Sequence, residues 1–301
     1  MTVHHDDLPG QVDLHAVLPP ALQLIADGVA TDLHVFGELP RVGVAFSGGV
    51  DSTVLAALVA RAVGEANTVL LMGVSPSLAK RERRLAHRQA EQLGIQLSEV
   101  ATHELENPHY AANPVDRCYH CKDALFTVLA SEVSEDLQLD VIAYGENSDD
   151  AVRPDRPGSL AAKKHHVLHP LAAAGASKDD VRAIAARLGL GNAAKPAAPC
   201  LASRIPHGQE VTAEKLAAVD AAEDAVLAAG FTDCRVRHHG IIARIEVPAS
   251  EFHLIVDEHL RATLLASVRA AGFAHAVLDL AGIQSGGFTL TLLSQRPEAL
   301  L

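Results

Sequence analysis

Arg41-Val42-Gly43-Val44-Ala45-Phe46-Ser47-Gly48-Gly49-Val50-Asp51-Ser52-Thr53 is the stretch on which the reading of this chain turns. The run to Phe46 is short and apolar, as a strand buried in a sheet requires. From Thr53 to Ala66 the spacing becomes helical. Between the two, paired glycines let the backbone take positive φ and approach a ligand closely. Consecutive backbone N–H groups and a helix N-terminus then form a cradle for an anion. The hydroxyls of Ser47 and Ser52 add donors, and Asp51 is suited to hold Mg²⁺ directly or through water. The cradle Ser47, Gly48, Gly49, Val50, Asp51 and Ser52 is not the Gly-x-x-x-x-Gly-Lys-Ser/Thr form, because it lacks the lysine that reaches the terminal phosphates.

Outward from this loop, the pattern alternates. A helix is expected over 18–35, with Leu22, Ile25 and Val29 on one side, and strands over 68–74, 96–102 and 140–144. Helices are expected over 80–93, 122–137 and 178–188. Such alternation predicts an α/β fold with a parallel sheet covered on both faces. After about residue 205 the pattern changes. A helix over 212–229 has Thr212 as its N-cap and Gly230 past its end. Strands over 234–238 and 241–247 follow, joined through His239-Gly240, then a helix over 250–271 and a strand over 276–280. The expectation is therefore a parallel-sheet domain over 1–204 and a smaller α+β domain over 205–301, joined through the proline-rich stretch 195–206. Asp149, Asp150 and Arg156 follow the fourth strand, where open parallel sheets bind their ligands.

A formal net charge of −12 argues against broad nucleic-acid binding. The absence of tryptophan leaves little material for stacking bases. Basic stretches at 80–84 and 163–166 read as solvated faces. No apolar run reaches the roughly 20 residues of a membrane span, and no positive n-region precedes an apolar stretch. A cytoplasmic protein is expected. Among the 17 histidines, the pairs His4-His5, His165-His166 and His238-His239 read as surface features.

The loop, taken whole, resembles the PP-loop of ATP pyrophosphatases, which cleave ATP to AMP and pyrophosphate. Other blocks resemble one family more narrowly. They are 75–78 (Ser-Pro-Ser-Leu), Asn113-Pro114 with Arg117-Cys118-Tyr119-His120-Cys121-Lys122, Asp149-Asp150 with Arg156-Pro157-Gly158, and His169-Pro170-Leu171. Lys195-Pro196, Cys200-Leu201-Ala202-Ser203-Arg204-Ile205-Pro206-His207-Gly208, Arg235-x-Arg237 and Leu278-Asp279-Leu280-x-Gly282 continue the series. Together they are similar to the LarE family, ATP-dependent sulfur transferases of nickel-pincer cofactor synthesis. The sequence departs from that pattern at Gly145-Glu146-Asn147, at 192–194 and at 283–286.

The resemblance implies that a carboxylate of pyridinium-3,5-biscarboxylic acid mononucleotide is adenylated with Mg-ATP, and that sulfur then displaces AMP. It implies that Gly145 and Asp150 join the loop in nucleotide binding. Cys200 matches the sulfur-bearing cysteine, and Ser203, Arg204, Glu223, Arg235, Arg237 and Glu246 match polar positions around the substrate. Arg235 and Arg237 alternate on one strand and share a face, so two guanidiniums suited to phosphate or carboxylate converge. Relatives assemble as homo-oligomers, which is the expectation here too.

Four cysteines without a signal segment do not suggest a disulfide framework. Cys118-x-x-Cys121 by itself fits a zinc site, with His120 or His207 completing it, a redox pair, or a cluster. With Cys200, the resemblance favours a [4Fe-4S] cluster, against a sacrificial Cys200 or a structural role. Cys234 reads as a small core residue. Two rival functions stand beside the main one: another PP-loop enzyme, either a tRNA thiolase or an ammonia-using synthetase, and a non-enzymatic ATP-binding or iron–sulfur carrier protein.

Overall fold

A computed structural model describes residues 12–151, 158–193 and 198–283. The chain forms two compact units, one comprising Met1–Ser75, Lys80–Glu104 and Cys118–Ala198, the other Pro76–Ala79, Leu105–Arg117 and Pro199–Leu301.

The first unit is built on four parallel strands, β1 Val42–Ala45, β2 Thr68–Val74, β3 Gln96–Ala101 and β4 Val141–Tyr144, in the order β3-β2-β1-β4. This is the α/β fold the alternation predicts. The chain walks outward from β1 to β3, then returns to place β4 on the other side of β1. Strand order therefore reverses at β1, and the carboxyl ends of β1 and β4 bound the crevice where such sheets take ligands.

Helix α1 (Pro20–His34) packs against α2 (Val50–Val63), which follows β1 directly. All of α2 from Val54 to Ala60 is buried, as expected of a helix that is apolar on every side. Helix α3 (Lys80–Leu93) is instead two-faced, burying only Ala86, Gln89, Ala90 and Leu93. On the other side of the sheet, Val69 and Leu71 share a core cluster with Phe126 and Leu129.

Among the boundaries that differ from expectation, two concern whole helices and have identifiable reasons. The helix expected over 122–137 begins at Arg117 and passes through a π-helical turn at Leu129–Val133. Its first residues, Arg117 to Lys122, carry no apolar stripe to announce them. The helix expected over 250–271 is two elements, a 3-10 stretch Ala249–Val256 and an α-helix Glu258–Ala270. Asp257 separates them, its carboxylate accepting from Leu260 N at 2.8 Å as an N-cap.

The second unit holds a three-stranded sheet, β5 Arg235–His239, β6 Ile242–Glu246 and β7 His275–Leu278, in the order β5-β6-β7. The first pair is an antiparallel hairpin turning at Gly240, whose φ of +63° suits glycine. β7 pairs parallel to β6 after the crossover helix. The helix Ala213–Ala228, capped by Thr212 Oγ1 accepting from Lys215 N, contacts β5. Cys234 is fully buried here. His238 is buried as well, not a surface residue. Its ring meets Phe273 edge-on, and desolvation holds its pKa below the ordinary imidazole value. His4-His5 lie outside the described residues. No described helix is long and apolar enough to cross a membrane.

Candidate active site

The loop after β1 closes on itself. Phe46 N still donates to Leu71 O at 2.8 Å, so the sheet carries the backbone to the rim. Gly48 then turns with φ +69°, and Gly49 is the N-cap of α2 in an extended conformation. The helix starts at Val50, three residues before its apolar spacing does, which puts Asp51 and Ser52 in the first turn. Ser52 Oγ donates to Gly49 O at 3.0 Å and lies 3.2 Å from Ser47 Oγ. Gly49 N donates to Ser47 Oγ at 3.3 Å. The hydroxyls thus fasten the loop, while the helix N-terminus at Gly49 to Ser52 supplies the N–H groups that favour an anion.

Asp51 is held from two sides. Asn147 Nδ2 donates to its Oδ1 at 3.0 Å, and Lys178 Nζ donates to its Oδ2 at 2.5 Å. Asn147 also donates to Asp150 Oδ2 at 3.2 Å and accepts from Asp150 N at 3.0 Å. Lys178 N donates to Asp149 Oδ2 at 2.8 Å, which ties the start of the helix Lys178–Arg187 to the segment after β4. The structure therefore gathers Asp51, Asn147, Asp149, Asp150 and Lys178 at the carboxyl end of the sheet. Arg156 lies outside the described residues.

Gly145 makes the close approach between β4 and the loop possible. A Cβ there would stand 2.9 Å from both the Cα and the backbone N of Ser52, atoms that cannot swing away. Gly145→Ala is expected to destabilise the protein by about 1–3 kcal/mol through overpacking, seen as a lower thermal-unfolding midpoint. An unchanged midpoint would show that the two elements are not so closely apposed.

In the second unit, the stretch around Cys200 is built from buried ion pairs. Leu201–Arg204 is a short 3-10 turn with Cys200 exposed at its N-cap. Arg204 is 1% exposed and donates to Glu223 Oε1 at 2.8 Å and Oε2 at 3.3 Å. Its Nη1 donates to Pro199 O and Ser203 Oγ, each at 2.8 Å. Glu223 Oε1 also accepts from Val236 N at 3.0 Å, which links the turn to β5. Arg237 forms a two-pronged pair with Glu246, at 3.0 and 2.9 Å, and donates to Ser203 O at 3.1 Å. Arg235 donates to Asp233 Oδ1 at 2.5 Å and Cys234 O at 2.7 Å. Arg235 and Arg237 do share the buried side of β5, but each guanidinium is engaged by its own carboxylate. Leu201 N donates to Ser77 O at 2.9 Å, and Asn113 Nδ2 donates to Pro206 O at 2.8 Å. The separate sequence blocks at 75–78, 113–117 and 200–208 are thus parts of one knot.

Cys118 and Cys121 lie one turn apart on the helix Arg117–Val128, Cys118 exposed and Cys121 half-buried. They belong to the first unit, and Cys200 to the second. Among the described residues no group of three or more His, Cys, Asp or Glu side chains is arranged to hold a metal ion.

Four residues of this site escape sequence reading. Lys178 and Asn147 hold Asp51, Asn192 Nδ2 donates to Gly48 O at 3.2 Å and Thr53 Oγ1 at 2.8 Å, and Gln89 abuts Gly48. The available signals were Ser177, a capping residue that places Lys178 at a helix start, and a glutamine on the apolar face of α3.

Comparison with known proteins agrees with this architecture. The family model described as asparagine synthase matches residues 25–135. An uncharacterized protein of Synechocystis sp. is 42% identical over 251 residues, 83% of this chain and 92% of its own length. The pyridinium-3,5-bisthiocarboxylic acid mononucleotide synthase of Lactiplantibacillus plantarum is 32% identical over 273 residues, 89% of this chain and 96% of its own. A match of that extent, added to a PP-type loop at the reversal point of a parallel sheet, makes this chain an enzyme of the LarE family of sulfur transferases.

Proposed function

We propose that this enzyme adenylates a carboxylate of pyridinium-3,5-biscarboxylic acid mononucleotide and converts it to the thiocarboxylate. A carboxylate oxygen attacks the α-phosphorus of ATP, the bond to the β-phosphate oxygen breaks, and pyrophosphate leaves. A sulfur nucleophile then attacks the acyl carbon, and the C–O bond to AMP breaks. The first step turns a poor electrophile into one with a good leaving group.

The observation that carries this reading is the loop at the reversal point with a carboxylate poised in its first helical turn. Backbone N–H groups of Gly49 to Ser52 would bind the departing pyrophosphate. Asp51 is the residue for Mg²⁺, and the ion would neutralise phosphate charge. Lys178, which donates to Asp51 at 2.5 Å, would supply a second positive charge for the phosphates. Gly145 and Asp150 complete the nucleotide side, with the adenylating chemistry placed in 1–204. Arg235, Arg237, Glu223 and Glu246 of 205–301 are proposed to bind the substrate, as is Arg156 of 1–204. A homo-oligomer is expected.

For sulfur delivery, Cys118 and Cys121 suit two ligands of a [4Fe-4S] cluster, since thiols one helical turn apart face the same way. Cys200 is proposed as the third ligand. Such a cluster has an iron without a protein thiolate, which would carry the extra sulfur. The exposure of Cys200 at the N-cap of its turn leaves the thiol accessible and supports a second reading. There, the Cys200 sulfur displaces AMP from the acyl carbon to form a thioester, and a base removes the Cys200 Cα proton as the Cβ–S bond breaks, releasing the thiocarboxylate and leaving dehydroalanine.

The test is acid-dependent ATP–pyrophosphate exchange. Wild-type protein should exchange label only with the acid present, and Asp51→Asn should reduce the rate by about a hundredfold or more. Exchange that ignores either the acid or Asp51 would reject the proposal.

A further inference from the structure

The buried face of α3 follows helical spacing through Ala86, Gln89, Ala90 and Leu93, and one of the four carries a carboxamide. Gln89 is 3% exposed, and neither its Nε2 nor its Oε1 has a hydrogen-bond partner among the described residues. A buried amide left in that state opposes folding, because it surrenders its bonds to water and regains none. Methionine or leucine would fill the same space without that penalty.

What Gln89 touches gives the reason. A Cβ placed on Gly48 would stand 3.0 Å from Gln89 Oε1 and 3.2 Å from Ala86 Cβ, so the phosphate loop rests on this part of α3. Asn192, 2% exposed, reaches the same glycine by donating to its carbonyl at 3.2 Å, and its Oδ1 also lacks a partner. Two buried carboxamides therefore end at Gly48 with unused capacity.

We propose that Gln89, together with Asn192, is a positioning residue for the anion-bound phosphate loop. When a phosphate draws the N–H groups of the loop toward itself, the Gly48 peptide resets and its backbone pairs with the Gln89 carboxamide. The amide is then a liability in the nucleotide-free protein and a gain in the nucleotide-bound one. Function at the expense of stability is a common arrangement at active sites. The inference rests on the loop's being the nucleotide site.

The experiment uses the full chain, Gln89→Met and, as a second variant of different shape, Gln89→Leu. Thermal unfolding is measured with and without Mg-ATP, and the dissociation constant of Mg-ATP by calorimetry. In the absence of nucleotide the Met variant should unfold at or above the wild-type midpoint. Its Mg-ATP dissociation constant should rise roughly three- to tenfold, the net worth of one hydrogen bond. The midpoint gain on adding nucleotide should shrink accordingly. KM for the acid should not move. Wild-type affinity for Mg-ATP in both variants would overturn the inference, and so would lowered stability without weakened binding, which would make Gln89 plain packing. Failure of the nucleotide reading is told apart before any substitution, as wild-type protein whose midpoint ignores Mg-ATP.

Discussion

Cys200→Ala is expected to release pyrophosphate at close to the wild-type rate while thiocarboxylate formation falls by about four orders of magnitude or more. The two steps separate because they rest on different residues. Adenylation draws on the loop and Asp51, which belong to the first unit, whereas Cys200 belongs to the second. The thiol is exposed at the start of a short turn whose hydrogen bonds come from backbone atoms and Arg204, so losing its sulfur leaves the fold intact. Quantifying pyrophosphate and thio-product in parallel checks this. Equal loss of both would make Cys200 structural. The same samples separate the two sulfur routes. If a cluster is present, Cys118→Ala and Cys121→Ala lose iron and product together, whereas a sacrificial Cys200 leaves both variants active for one turnover.

The second large effect is on stability. Glu223→Gln, or Arg204→Met, is expected to destabilise the second unit by about 3–5 kcal/mol, because each strands a charge or charged network in the interior. Both side chains are buried, at 1% and 0% exposure. Arg204 also ties Pro199 O, Cys200 O and Ser203 Oγ, so its loss frees the segment carrying Cys200. Activity should therefore fall even at temperatures where the protein stays folded. The double variant Arg204→Met with Glu223→Leu should recover much of the stability, since paired apolar replacements remove both charges, but not the activity. Recovery of both would reduce the pair to packing. Denaturant unfolding monitored beside product formation distinguishes these outcomes.

How much of this was legible in the sequence follows from the range of the interactions. The phosphate loop is local. Its strand, glycines and helix start are consecutive residues, and the parallel sheet follows from how often such units repeat. Lys178 and Asp51 are 127 residues apart, and Asn192 and Thr53 are 139 apart, so no spacing could pair them. The helix start at Arg117 was hidden for a different reason, since its first residues carry no apolar stripe and Arg117 is held by a hydrogen bond to Ala202 O, 85 residues away. Arg235 and Arg237 were rightly placed on one strand face, yet periodicity could not reveal that Asp233 and Glu246 already occupy them. His238 misled because a histidine pair at a hairpin looks like surface, whereas β5 is buried along most of its length. Membership of a family of enzymes also displaces the reading as a non-enzymatic carrier protein.

The most direct test mixes anaerobically reconstituted protein with Mg-ATP and pyridinium-3,5-biscarboxylic acid mononucleotide, then weighs the product by mass spectrometry. The predicted product is heavier by the difference between one sulfur and one oxygen, and appears with pyrophosphate and AMP. An acid recovered unchanged, with no pyrophosphate released, would contradict the account.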